Sequence, residues 1–68
     1  MEDKYVYCVY EDSHGLVSIW DNEADAKAEV ERIEKNYDDP EECVYWRDGT
    51  MYGSSTCNFE RTKLNVPW

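Results

Sequence analysis

Six carboxylates in the middle of the chain carry its strongest chemical signal. Glu31 and Glu34 lie on a helical stretch, and Asp38, Asp39, Glu41 and Glu42 follow directly after it. Spaced carboxylates of this kind can stand in for the phosphates of a nucleic acid and occupy the basic channel of another protein, with electrostatic steering speeding capture. The same residues also suit a solvated face that keeps a small protein soluble. Cys8, His14, Cys43 and Cys57 form a second set, three thiols and an imidazole, which is a permissible zinc donor set. Zinc modules present ligands in close pairs, however, and no two of these cysteines are near neighbours in sequence, so buried inert thiols are the simpler expectation.

Catalytic chemistry finds less support. His14 follows Asp12 and Ser13 on a turn, but a nucleophile, a base and its orienting group must converge in a pocket rather than sit side by side. A reactive thiolate needs positive surroundings, and the charge around Cys8 and Cys43 is mostly negative. The expectation is a protein that is not an enzyme and holds no cofactor or metal.

Net charge is -9 over 68 residues. Residues 1–42 carry a balance of -10 and residues 43–68 a balance of +1, so the acidity belongs to the front of the chain and the helix. Such a chain repels nucleic acid and anionic membranes and attracts a basic partner, including one that itself binds nucleic acid. Stacking of bases on an aromatic sheet would need basic residues around the rings, and only Arg47, Arg61 and Lys63 are candidates. Met1 is followed by Glu2, Asp3 and Lys4 without an apolar run, and no stretch approaches the length of a membrane span. Three cysteines without a CxxC pair do not suggest a disulfide framework, which makes a cytoplasmic location with free thiols the expectation.

The elements that would position these groups are legible from periodicity. Asp21–Tyr37 is the one long segment with a helical period: Ala26, Val30, Ile33 and Tyr37 form a narrow apolar stripe. Asp21 or Asn22 is the expected N-cap, Glu23 with Lys27 and Glu31 with Lys35 have favourable spacing, and Asn36 to Pro40 end the helix. A stripe this narrow must lie on one broad partner, and strands supply it. Tyr5–Tyr10 and Leu16–Trp20 read as strands joined by the turn Glu11–Gly15, and Glu41–Arg47 as a third strand ahead of an Asp48–Gly49 turn. The segment from Thr50 to Leu64 returns either as one strand bulged at Gly53 or as two short strands around Gly53–Thr56, with a tail whose Trp68 folds back onto apolar surface.

Residues 1–68 therefore read as a single small α+β domain, one helix on one face of a four-stranded, mainly antiparallel sheet in the order ββαββ. Val6, Cys8, Val17 and Ile19 are expected to meet the helix. The other sheet face, with Tyr5, Tyr7, Leu16 and Trp20 and one of Tyr45 or Trp46, would be left as an apolar assembly face, most simply closed by a homodimer. A chain this short sits near the lower limit for an independent core, and its six Tyr, three Trp and one Phe are the compensation.

The YVYCVY strand, LVSIW running into an acid-rich helix with an Ala26-Lys27-Ala28 centre, and the late CNFERTKL strand together resemble small acidic bacteriophage-type proteins with a strand-strand-helix-strand-strand plan. The resemblance covers most of the chain as pattern and composition, without a diagnostic motif, so no functional residue is carried over. It implies a setting in which short acidic proteins bind and inhibit a host enzyme or a restriction, CRISPR or nucleoid component. The expected function is thus a non-enzymatic binding protein, an inhibitor acting as a DNA mimic with an anti-defence or host-takeover role, whose contacts are Glu31, Glu34, Asp38, Asp39, Glu41 and Glu42. A structural or adaptor module assembled through the aromatic sheet face is the alternative, and a zinc-stabilised mini-domain a third.

Overall fold

The computed structural model describes residues 4–46 and 48–63. The tail with Trp68, the acidic start at Met1–Asp3 and the ends of the expected strands at Arg47 and Leu64 lie outside the described residues. Five strands and one helix follow one another as β1 (Tyr5–Glu11), β2 (Gly15–Trp20), α1 (Glu23–Glu34), β3 (Val44–Trp46), β4 (Met51–Gly53) and β5 (Cys57–Lys63). All strand pairings are antiparallel, in the spatial order β2-β1-β5-β4-β3. The α+β class is as expected, but the sheet has five strands rather than four. Gly53 makes the difference. At φ 134° it adopts a backbone that side chains rarely reach, and a Cβ there would lie 2.3 Å from the Cys57 carbonyl oxygen. The chain therefore reverses through Ser54–Thr56, closed by the Ser54 amide donating to the Cys57 carbonyl at 2.8 Å, and β4 and β5 become separate neighbours.

The local punctuation is largely what the residue types dictate. Asn22 caps α1, its Oδ1 accepting from the Asp25 amide at 2.8 Å, while Glu23 and Asp25 meet the positive end of the helix. The helix stops at Glu34, and the amides of Asn36 and Tyr37 tighten the exit by donating to the Ile33 and Glu34 carbonyls. Its ion pair is Glu29 with Arg32, three residues apart. Lys27 lies over the Tyr45 and Tyr52 rings, 5.5 and 5.0 Å from their centroids, and does not simply extend along the helix toward Glu23. Gly15, at φ 75°, closes the β1–β2 turn, and Asp48 and Gly49 take positive φ in the turn after β3.

Which sheet face meets the helix is the reverse of the expectation. Val9 and Phe59 are fully buried in a core completed by Ala26, Val30, Tyr52 and Cys57, with Tyr7, Trp20, Ile33, Tyr37 and Cys43 packed around it. Val6, Cys8 and Ile19 lie on the opposite face. The reason is the register of β5 on β1: Phe59 and Cys57 pair with Val9 and Glu11, while Thr62, Glu60 and Asn58 pair with Val6, Cys8 and Tyr10. Only the Tyr7–Val9 side of β1 thus has an apolar neighbour on its central flank, and that side is covered. Tyr7 stands edge-on to Phe59 at 5.4 Å between centroids, and Tyr52 lies 5.7 Å from the same ring.

A second correction comes from a β-bulge. Between β1 and β2 the register runs Val9 to Ser18 and then Tyr10 to Leu16, so Val17 is an extra residue. It breaks the alternation expected for Leu16–Trp20. Trp20 and Ser18 face the helix, Leu16 joins Ile19 on the open face, and Val17 turns toward the helix C-terminus. Of the four residues expected to form the assembly face, Tyr7 and Trp20 pack into the core and Tyr5 stays on their side of the sheet, its ring 4.7 Å from the Arg61 guanidinium. Leu16 alone is on the open face.

Candidate functional site

The six central carboxylates do not share one environment. Asp38, Asp39 and Glu42 are exposed in the segment after α1, Glu31 is exposed on the helix and accepts from the Tyr52 hydroxyl at 2.8 Å, and Glu41 holds the Ser55 hydroxyl and amide. Glu34 is 4% exposed. It sits four residues after Val30 on the buried line of the helix, with Oε1 accepting from the Ser54 hydroxyl and, at 3.1 Å, from the Thr56 hydroxyl. Its Oε2 is buried without a hydrogen-bond partner among the described residues. Glu34 thus stands apart from the other five, which remain on the surface. The signal was present in the spacing Ala26, Val30, Glu34, which continues the buried face by one further turn.

The cysteines and His14 do not all converge. Cys57 lies on the helix face in the core, with Cys43 packed against that core, whereas Cys8 lies on the open sheet face and His14 is exposed at the β1–β2 turn. Among the described residues no group of three or more His, Cys, Asp or Glu is arranged to hold a metal ion. All three cysteines are free. Burial, reinforced by the Glu34 carboxylate, raises the Cys43 thiol above its ordinary range and pushes the Cys57 thiol up to about 12. At neutral pH both are thiols, the form that is neither nucleophile nor metal ligand.

A pocket of about 520 Å³ opens between the β1–β2 turn and the C-terminal end of α1. Ile33, Asn36 and Tyr37 form its helix wall; Glu11, Ser13, His14 and Val17 form the strand wall. Glu11, 8% exposed, is its polar centre. Oε1 accepts from the Ser13 amide at 2.8 Å and faces His14 Nδ1 at 2.7 Å, and Oε2 accepts from the Tyr37 hydroxyl at 2.5 Å. The Tyr37 and His14 bonds, outweighing partial burial, hold the Glu11 carboxyl below its ordinary range, and the same bond to Glu11 pushes the Tyr37 phenol up to about 12. This pocket was not anticipated because Glu11 reads as the first residue of a turn. Strand alternation was the available signal: Tyr7, Val9 and Glu11 point the same way, so a carboxylate at the end of that row must be buried and must find donors.

The open sheet face carries a row of side chains from all five strands, Ile19, Cys8, Glu60, Met51 and Trp46. Ile19 is 58% and Leu16 52% exposed. No helix among the described residues is long and apolar enough to cross a membrane. No protein-family model, curated protein or solved structure matches the chain.

Proposed function

We propose that the protein is a non-enzymatic binding protein that acts by occupying the basic, nucleic-acid-binding surface of another protein. The observation that carries this reading is the exposed run of Glu31, Asp38, Asp39, Glu41 and Glu42 on a chain of net charge -9. Surface carboxylates spaced along a helix end and the loop beyond it offer a partner's Lys and Arg what a phosphate backbone offers, and the surrounding field steers association. Glu34, being buried, acts instead as a fold residue. Protonated thiols and an exposed, turn-bound His14 favour binding over catalysis. A bacteriophage-type inhibitor, with an anti-defence or host-takeover role, is the setting that accords with this chemistry.

Affinity capture from a bacterial lysate, at low and high salt and with competing duplex DNA, tests it. A nucleic-acid-binding protein released by both salt and DNA is expected, and substituting Lys at Asp38, Asp39, Glu41 and Glu42 should abolish capture while the far-UV spectrum is unchanged. Binding that survives these reversals sinks the proposal. The second reading, an adaptor or a homodimer assembled through a sheet face, is favoured by the exposure of Ile19 and Leu16. Ile19→Lys should then dissociate the assembly, read by light scattering.

A further inference from the structure

We infer that the pocket between the β1–β2 turn and the end of α1 receives an arginine side chain of the basic partner, its guanidinium against Glu11 and its alkyl stem on Val17 and Ile33. The inference deepens the reading above and rests on the partner being basic. Glu11 supplies the charge. A carboxylate offers about four acceptor positions, and the bonds of the described residues fill two on Oε1 and one on Oε2, leaving a position on Oε2 beside the Tyr37 hydroxyl. Its facing cationic group among the described residues is His14, whose side chain is 79% exposed and charged only when protonated. A largely buried carboxylate with three neutral or weakly cationic donors keeps uncompensated negative charge on the pocket wall, and guanidinium binds carboxylates more strongly than neutral donors do.

The surroundings select the same chemistry. The C-terminal end of α1 forms one wall, and carbonyl dipoles there favour positive charge. Asp12 on the turn and Asp38 and Asp39 just beyond Tyr37 are exposed, close in the chain to lining residues, and add to the negative field. Val17 and Ile33 give an apolar surface for three methylenes, and Asn36 adds an amide within the same pocket. The volume of about 520 Å³ accommodates one long side chain with the backbone that bears it. Interfaces concentrate their binding energy on such anchors, among which arginine is prominent.

The test is a two-dimensional amide NMR titration of the full chain with Nα-acetyl-arginine amide, and with the citrulline analogue, which has the same shape without the charge. Shifts centred on Glu11, Ser13, His14, Ile33 and Tyr37 are expected for arginine, with citrulline at least about tenfold weaker. Equal shifts from citrulline, no shifts, or shifts spread over the whole acidic surface would overturn the inference. Val17→Lys, at an exposed bulge position that leaves the core untouched, places a cation in the pocket and should weaken the arginine probe at least about tenfold. Unchanged binding by that variant also overturns it. Capture of a salt-released partner that ignores Val17→Lys would remove the anchor and leave the acidic surface standing. Arginine binding without any basic partner would remove the functional reading and leave the pocket.

Discussion

Two rows of side chains cross all five strands one residue apart, and they share almost nothing. One runs Ser18, Val9, Phe59, Tyr52, Tyr45 and lies under the helix as far as Tyr52; the other runs Ile19, Cys8, Glu60, Met51, Trp46 and has no layer over it among the described residues. The first is fully buried at Val9 and Phe59 and opens only at its end, Tyr45; the second is 58% exposed at Ile19, though Cys8 beside the centre is buried. Each contains large apolar side chains, so hydrophobicity alone does not separate them. The separation comes from β5, which places Phe59 in one row and Glu60 in the next, and from the helix, which has a single apolar stripe to offer. The core is thereby assigned to one face, with the charged surface and the pocket at the helix edge.

Substitutions that break this contrast are ordered by how far they reach into the covered row. Phe59→Ala should cost about 3–5 kcal/mol, comparable to the whole stability expected of a domain this size, and a cooperative thermal transition should disappear. A retained transition would mean that the helix face is not the core. Gly53→Ala comes next, on the order of 3 kcal/mol, because the new Cβ meets the Cys57 carbonyl and the Asn58 backbone, which cannot both move without parting β4 from β5. Urea unfolding measures both.

A smaller effect tests the edge of the covered face, where Glu11 and Tyr37 join β1 to the end of α1. The Glu11 pKa is lowered from 4.5, so its stabilisation is complete above that pH and is lost as pH falls through the folded-state value. The Tyr37 pKa is raised from 10.0 to about 12, so its stabilisation is complete below pH 10.0 and is lost as pH rises toward about 12. Tyr37→Phe should flatten both limbs of the urea midpoint plotted against pH; an unchanged acid limb would show that the phenol does not hold the carboxylate. The smallest effect belongs to the open row. Ile19→Thr should change stability by less than about 0.5 kcal/mol, and a loss as large as a core truncation would show that this face is covered in solution by a second copy.

Much of the local structure was legible in the residues themselves. The period of Ala26, Val30 and Ile33 specifies the helix, Asn22 caps it, glycine at 15 and 49 marks the turns, and the carboxylate count sets the sign of the chain's own charge. These are properties of neighbours along the chain, decided within a few residues by backbone sterics and hydrogen bonding.

What the chain alone left open was every choice that depends on a distant strand. Tyr5–Tyr10 is apolar on both faces, so its own alternation could not say which side turns inward; the pairing with Phe59 and Glu60 did. A bulge at Val17 parted Leu16, which stays on the open face, from Ser18 and Trp20, and the tight approach of Gly53 to Cys57 decided for two short strands over one bulged strand. The same tertiary arrangement buried Glu34 beside Ser54 and gathered Glu11, His14 and Tyr37 into one pocket. The physical reason is common to all of these. Side-chain direction in a strand has a period of two, so a shift of one residue in pairing reverses it, and pairing is fixed by contacts formed only when the whole sheet assembles.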